Sequence, residues 1–194
     1  MSKIYLASNS PRRQALLQQL GIGFDIIIPD VVEQTRGPES AAEFAQRMAA
    51  KKARQALRQI DMQHLPLRPV LAADTCVVLD DDIFGKPRDR EDGEAMLRRL
   101  SGREHIVVTA VTVLHSKKEH SVLNTSRVIF RSLSEDEIHQ YWDTGEPADK
   151  AGAYALQGKA AAFIARIEGS YSGIVGLPLY EVAQLLRQAG LTIP

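Results

Sequence analysis

Six neighbouring residues carry the densest chemistry near the start of the chain: Ser8-Asn9-Ser10-Pro11-Arg12-Arg13. They follow the apolar run Ile4-Tyr5-Leu6-Ala7 and precede a helical stretch over residues 14–20. A helix start exposes backbone N–H groups and carries roughly half a positive charge. Two guanidiniums and the hydroxyls of Ser8 and Ser10 at that end make a site for an anion, phosphate above all. The plainer alternative is an ordinary capped helix with surface arginines.

Asp74 interrupts the apolar strand run 69–79 and is followed by the small polar Thr75. A carboxylate at the end of a strand suits metal binding or general-base work, and in α/β folds strand carboxyl ends line the ligand site. The alternative, that Asp74 opens a turn, fits poorly with the continuing run Cys76-Val77-Val78-Leu79. Lys52 projects from the apolar face of a helix, where lysine is rare unless paired. Either it reaches a polar site or it snorkels past alanines to water. Lys86, between Gly85 and Pro87, is a cation on a stiff backbone that could face phosphate or simply decorate a turn. From spacing alone Glu33 reads as a solvated loop glutamate. Gln157, before Gly158, could read a base edge through both amide atoms.

The elements that must position these groups alternate between strand and helix. A strand is expected over 24–28 and a loop over 30–38. Ser40 and Glu43 form a capping box for a helix to about residue 60, with Phe44, Ala45, Met48, Ala49, Ala56 and Ile60 on one face. Lys52 falls in the middle of that face and Lys51 at its edge. Asp80-Asp81-Asp82 reads as a turn, and residues 90–100 as a helix ending at Gly102. Runs 106–114 and 121–131 around Lys117-Lys118-Glu119 read as a hairpin. Ser134 and Glu137 form a second capping box. Residues 160–167 and the pair Ile174-Val175 read as strands, and a last helix opens at Pro178. The pattern argues for an α/β fold with an antiparallel hairpin.

Composition narrows the partners. The 194 residues carry 24 basic and 24 acidic side chains, a formal net charge of zero, which argues against broad nucleic-acid binding. One cysteine, Cys76, excludes a disulfide framework or a cysteine zinc site within one chain. The absence of a signal-peptide pattern and of an apolar run near the ~20 residues that span a bilayer leads to the expectation of a soluble, cytoplasmic protein with no membrane partner. The P-loop, dinucleotide, nucleophile-elbow and His-Glu-x-x-His patterns are missing. The five histidines are scattered.

Taken together, the segments resemble the Maf family of nucleoside triphosphate pyrophosphatases: Ser8-x-Ser10-Pro11-Arg12-Arg13, Glu33, Lys51-Lys52-Ala53, Ala73-Asp74-Thr75, Gly85-Lys86-Pro87 and Val175-Gly176-Leu177-Pro178, in order and across the whole chain. The resemblance implies a single domain over 1–194: an α/β fold with a mixed sheet flanked by helices, elongated, two-lobed and ITPase-like around a deep central cleft. It implies hydrolysis of a nucleoside triphosphate to monophosphate and pyrophosphate with Mg²⁺ or Mn²⁺, a role in nucleotide clean-up, ties to septum formation, and a homodimer. Arg12, Thr75 and Gln157 look like the branch acting on dTTP and UTP; the branch acting on 7-methyl-GTP carries an aromatic residue at the position of Arg12. Ala72, where glycine is usual, and Lys51, where many relatives have an acid, depart from the pattern.

In that light Ser8, Ser10, Arg12 and Arg13 are expected to hold the phosphate chain, and Lys52 and Lys86 to stabilise developing charge. Asp74 and Glu33 are expected to hold the metal, with Asp74 also the general base. Thr75 and Gln157 are expected to read the base. Two rivals stand beside this reading: a phosphohydrolase on another phosphate ester, and a nucleotide-binding regulator of cell division with little turnover.

Overall fold

A computed structural model describes residues 3–116 and 118–193 of the chain. Seven strands form one mixed sheet, in the order β2 (Gly23–Ile26), β1 (Lys3–Leu6), β3 (Val70–Leu79), β5 (Glu104–His115), β6 (Lys118–Phe130) and β7 (Ile164–Glu168), with β4 (Asp82–Phe84) on β3. The chain divides into two compact units: residues 1–74, 109–124 and 176–194 form the first, and residues 75–108 and 125–175 the second.

In the first unit, β1 (Lys3–Leu6) lies parallel to β2 (Gly23–Ile26) and to β3 (Val70–Leu79), with Leu6 opposite Leu71. Parallel pairing needs crossover connections, and α1 (Pro11–Gln19) and α2 (Ala41–Met62) supply them. Pro11 stands at the first position of α1, where its missing N–H costs nothing. Leu16 and Leu17 are fully buried, each stabilising by about 2 kcal/mol. The α2 capping box forms as the sequence suggests, with Ser40 and Glu43 bonding each other's backbone. Ala53, Ala56 and Ile60 of α2 pack with Tyr5, Ala7, Val70 and Ala72. Small side chains there let the helix backbone lie close to the sheet. The alanine at position 72 is fully buried in this contact. Contacts from α2 and from the end of α6 (Leu179–Gln188) pin the hairpin strands: Arg54 pairs with Glu119, and the carbonyl of Ala189, just past α6, lies 2.8 Å from His115 Nδ1.

In the second unit, β4 (Asp82–Phe84) runs antiparallel to the distal part of β3. Asp80 and Asp81 form the connecting turn with φ of 52° and 68°, a conformation Asp tolerates better than most residues. The unit adds α3 (Arg90–Leu100), parts of β5 (Glu104–His115) and β6 (Lys118–Phe130), α4 (Glu135–Asp143), β7 (Ile164–Glu168) and α5 (Tyr171–Val175). The second expected capping box, Ser134 with Glu137, opens α4. Phe84, Leu97, Phe130, Ile138, Tyr141, Tyr154 and Phe163 lead its core. The strands β5 and β6 are neighbours, as a hairpin requires; Lys117 of the expected turn lies outside the described residues.

Two strand expectations are corrected. Residues 159–163 form a 3₁₀ turn, and only Ile164–Glu168 is strand. The Lys159 and Ala160 amides are taken by the Glu146 carboxylate, so no ladder can use them. Ile174 and Val175 belong to helix α5, where the Ser170 hydroxyl accepts from the Gly173 amide. Short apolar runs do not by themselves separate strand from buried helix. Among the described residues no helix is long and apolar enough to cross a membrane.

Candidate active site

The first unit gathers most of the expected residues. Because β1 and β3 are parallel and Leu6 faces Leu71, Ser8 and Asp74 both lie past that pair toward the strands' carboxyl ends. The strand does not break at Asp74: β3 runs straight through it, and the side chain is almost wholly buried.

Lys52 reaches inward rather than snorkelling out. Its Nζ lies 2.6 Å from Asp74 Oδ1 and 2.5 Å from Glu33 Oε1. One ammonium thus holds two carboxylates from elements 41 residues apart in sequence. Burial holds the Asp74 carboxyl above its usual range, and Lys52, with Arg13 more weakly, offsets only part of that push. A buried carboxylate whose proton affinity is raised, beside a cation that faces it, suits a proton acceptor.

The Glu33 segment has no regular structure, and α2 side chains hold it. Arg47 donates to the Gln34 carbonyl at 3.0 Å, and Lys51 to the Val32 carbonyl at 3.2 Å. Arg47 also pairs with Glu39. Sequence reasoning missed Arg47 altogether and treated Lys51 only as an edge residue that departs from the family pattern. The signal was available: Arg47 and Lys51 are four residues apart and so share one face of α2, and Lys51 is next to Lys52 in sequence.

At the start of α1, Ser10 takes the backbone position of a cap, but its hydroxyl makes no cap bond. Ser8 Oγ instead accepts from the Ser10 amide at 3.1 Å, a local turn that fixes the approach to the helix. Arg13 donates from Nε to the Gly176 carbonyl at 2.9 Å and turns another nitrogen toward Ser8 Oγ at 3.5 Å. The Gly176-Leu177-Pro178 motif therefore has a physical task, fixing the Arg13 guanidinium plane. Gly176 adopts φ 122°, which side-chain-bearing residues rarely do. Arg12, partly buried, follows Pro11 in the first turn.

The second unit carries Thr75, Lys86 and Gln157. Thr75 is partly buried on β3; Lys86 and Gln157 are exposed. The Lys86 loop is fixed by the Gly85 carbonyl, which accepts from the Gly152 amide at 3.0 Å. Gln157 is third in a tight turn closed by the Gly158 amide on the Ala155 carbonyl at 3.0 Å.

Residues 3–189 match the family described as Maf-like protein. The chain belongs to the Maf family. It is 50% identical over 194 residues to a dTTP/UTP pyrophosphatase of Cupriavidus pinatubonensis, covering 97% of each chain. It is 47% identical over 188 residues to a dTTP/UTP pyrophosphatase of Vibrio vulnificus, covering 97% of this chain and 99% of that one. Among solved structures, the Staphylococcus aureus Ham1 protein shares the fold, with a TM-score of 0.54, 13% identity, and coverage of 96% of this chain and 99% of the other. That likeness speaks for the α/β architecture and the mixed sheet alone.

Proposed function

We propose that the chain hydrolyses dTTP and UTP to the nucleoside monophosphate and pyrophosphate. The names of its near-full-length relatives support the reaction class and the substrates. The observation that carries the mechanism is the Glu33–Lys52–Asp74 cluster.

The phosphate chain is held by Arg12, Arg13 and the hydroxyls of Ser8 and Ser10 at the start of α1. Asp74 accepts the proton of the water that attacks the α-phosphorus. Lys52 favours the charged form of that carboxylate and offsets negative charge gathering on the phosphates, with Lys86 the second cation. Thr75 and Gln157 read the pyrimidine.

The residues fit a hard divalent cation. Among the described residues no three His, Cys, Asp or Glu side chains could cage a metal, but Asp74 and Glu33 already converge on one cationic centre. Two carboxylate oxygens suit Mg²⁺ or Mn²⁺, which complete their shells with substrate phosphate and water. Bound there, such an ion would neutralise phosphate charge and act as a Lewis acid.

The test is Asp74→Asn, assayed for pyrophosphate release from dTTP with Mg²⁺ or Mn²⁺. Loss of a general base should cost roughly 10²–10⁴ in turnover. Near-wild-type turnover would remove Asp74 from the mechanism.

A further inference from the structure

Gln157 sits on a turn with no strand or α-helix of its own, yet a reader of base edges needs its amide held to a fraction of an ångström. What holds it is a pair of side chains from one helix end. Tyr141, on α4, accepts at its hydroxyl from the Ala155 amide at 3.2 Å and donates to Glu146 Oε1 at 2.8 Å. Glu146 accepts in addition from the Lys159 amide at 3.0 Å and the Ala160 amide at 3.4 Å. The turn is therefore gripped on both sides of Gln157, at residue 155 and at residues 159 and 160.

The grip is itself well anchored. Tyr141 is buried and meets the Phe163 ring edge-on, centroids 5.0 Å apart. Gly145 ends α4 at φ 75°, and the Thr144 hydroxyl accepts from the Glu146 amide at 3.2 Å, aiming the carboxylate back at the turn. Gly158 leaves room for it: a Cβ added there would run into the Glu146 carboxylate. Burial opposes charge on Glu146, but the two amides and the phenol outweigh it and hold the carboxyl below its usual range. The carboxylate thus stays ionised at neutral pH as a charge-assisted acceptor.

We infer that Glu146, acting with Tyr141, is a positioning residue for Gln157 and so sets how sharply pyrimidine triphosphates are preferred over purine ones. It touches no substrate; it acts by fixing the turn. This rests on the reading of Gln157 as a base contact given above. Gln157 chooses the base, and Glu146 decides whether that choice is made in one geometry or in several.

The experiment compares kcat/KM for dTTP, UTP and dGTP in the wild type, Glu146→Gln, Glu146→Ala, Gln157→Ala and the Glu146→Gln/Gln157→Ala double variant. Glutamine at 146 keeps the size but offers one acceptor oxygen and two N–H donors to three donor groups, so it is the variant of choice where alanine fails to fold. The expected result is a fall of roughly tenfold or more in the dTTP:dGTP ratio, since a ~1 Å misplacement can cost up to a hundredfold. It should come with faster hydrogen exchange at Lys159 and Ala160. In the Gln157→Ala background the effect of Glu146→Gln on the ratio should vanish, because the two residues act through one contact. Equal losses on all three nucleotides, with the ratio unchanged, would make Glu146 merely structural and overturn the inference. If Gln157→Ala itself leaves the ratio unchanged, base reading at Gln157 falls and this inference with it. If Gln157→Ala shifts the ratio and Glu146→Gln does not, only the role of Glu146 falls.

Discussion

The Glu33 segment and the Gln157 turn are both irregular backbone, and opposite charges hold them. The first hangs from long cations on α2: Arg47 and Lys51 donate to its carbonyls, and Lys52 pairs with Glu33 itself. The second is gripped by an anion, as Glu146 accepts from two consecutive amides and a phenol. Lysine and arginine tethers are flexible and partly solvated, and each loses up to ~2 kcal/mol of rotamer entropy when fixed. A short, partly buried carboxylate with three donors has little freedom left to lose. The difference separates two tasks. On the proposed function, the Glu33 side would adjust as a charged substrate arrives, whereas the Gln157 side would be built before the substrate comes.

If that contrast holds, the largest effect should come from the one tether that is not solvated. Lys52→Met leaves Asp74 buried without its cation, and breaking such a pair costs about 3 kcal/mol. Both partners are less than a sixth exposed. Turnover on dTTP should fall roughly hundredfold or more. Denaturant unfolding and a pyrophosphate assay read the two effects; an unchanged unfolding midpoint would put Lys52 among the loose tethers.

Acid should act on the second unit through a different group. His105 is buried against Tyr154, with Nε2 2.8 Å from the phenol oxygen, and its Nδ1 has no partner among the described residues. Burial pulls its pKa from 6.5 down to about 4. The unfolded chain therefore binds the proton first: stability is full above about pH 6.5 and is lost as pH falls toward 4. The loss should be roughly 3 kcal/mol from this group. The Gln157 turn begins just after Tyr154, so its amides should exchange faster over that window. The difference in stability between wild type and His105→Gln, followed from pH 7 to pH 4, isolates the effect; a flat difference would refute it.

A smaller effect probes the grip itself. Gly158→Ala forces a methyl against the Glu146 carboxylate and should cost about 1–3 kcal/mol, the usual range for overpacking. In a Glu146→Ala background the clash has no partner, and the cost should shrink. Equal costs in both backgrounds, measured by thermal unfolding, would mean the turn is held by something else.

These contrasts also mark what the sequence could and could not reveal. The boxes Ser40–Glu43 and Ser134–Glu137 were legible because both partners lie within one helical turn. Asp74, Lys52 and the Ser8–Arg13 segment were legible as oddities: an acid within an apolar strand, a cation on an apolar face, two arginines behind a proline. Their mutual geometry was not, since Lys52 meets Glu33 and Asp74 only through the packing of α2 on the sheet. The Glu146 grip was hidden for the same reason. Its partners lie 5 to 14 residues away, and the apolar run it draws into a 3₁₀ turn has the composition of a strand.

The smallest effect is expected at Lys51, and it tests the adjustable side of the comparison. Its ammonium meets the Val32 carbonyl on an exposed segment, so Lys51→Ala should change global stability by less than about 0.5 kcal/mol. What it should change is where Glu33 spends its time. With Arg47 still on Gln34 and Lys52 still on Glu33, the segment keeps two of its three tethers and gains freedom at its leading edge. Carboxylate supply to a divalent cation should weaken, raising the metal concentration needed for half-maximal activity a few-fold while kcat at saturating metal is kept. A fall in kcat at saturating metal would show that the segment must be rigid for the chemical step. The two loops would then be built on one principle, with different charges as the only distinction between them.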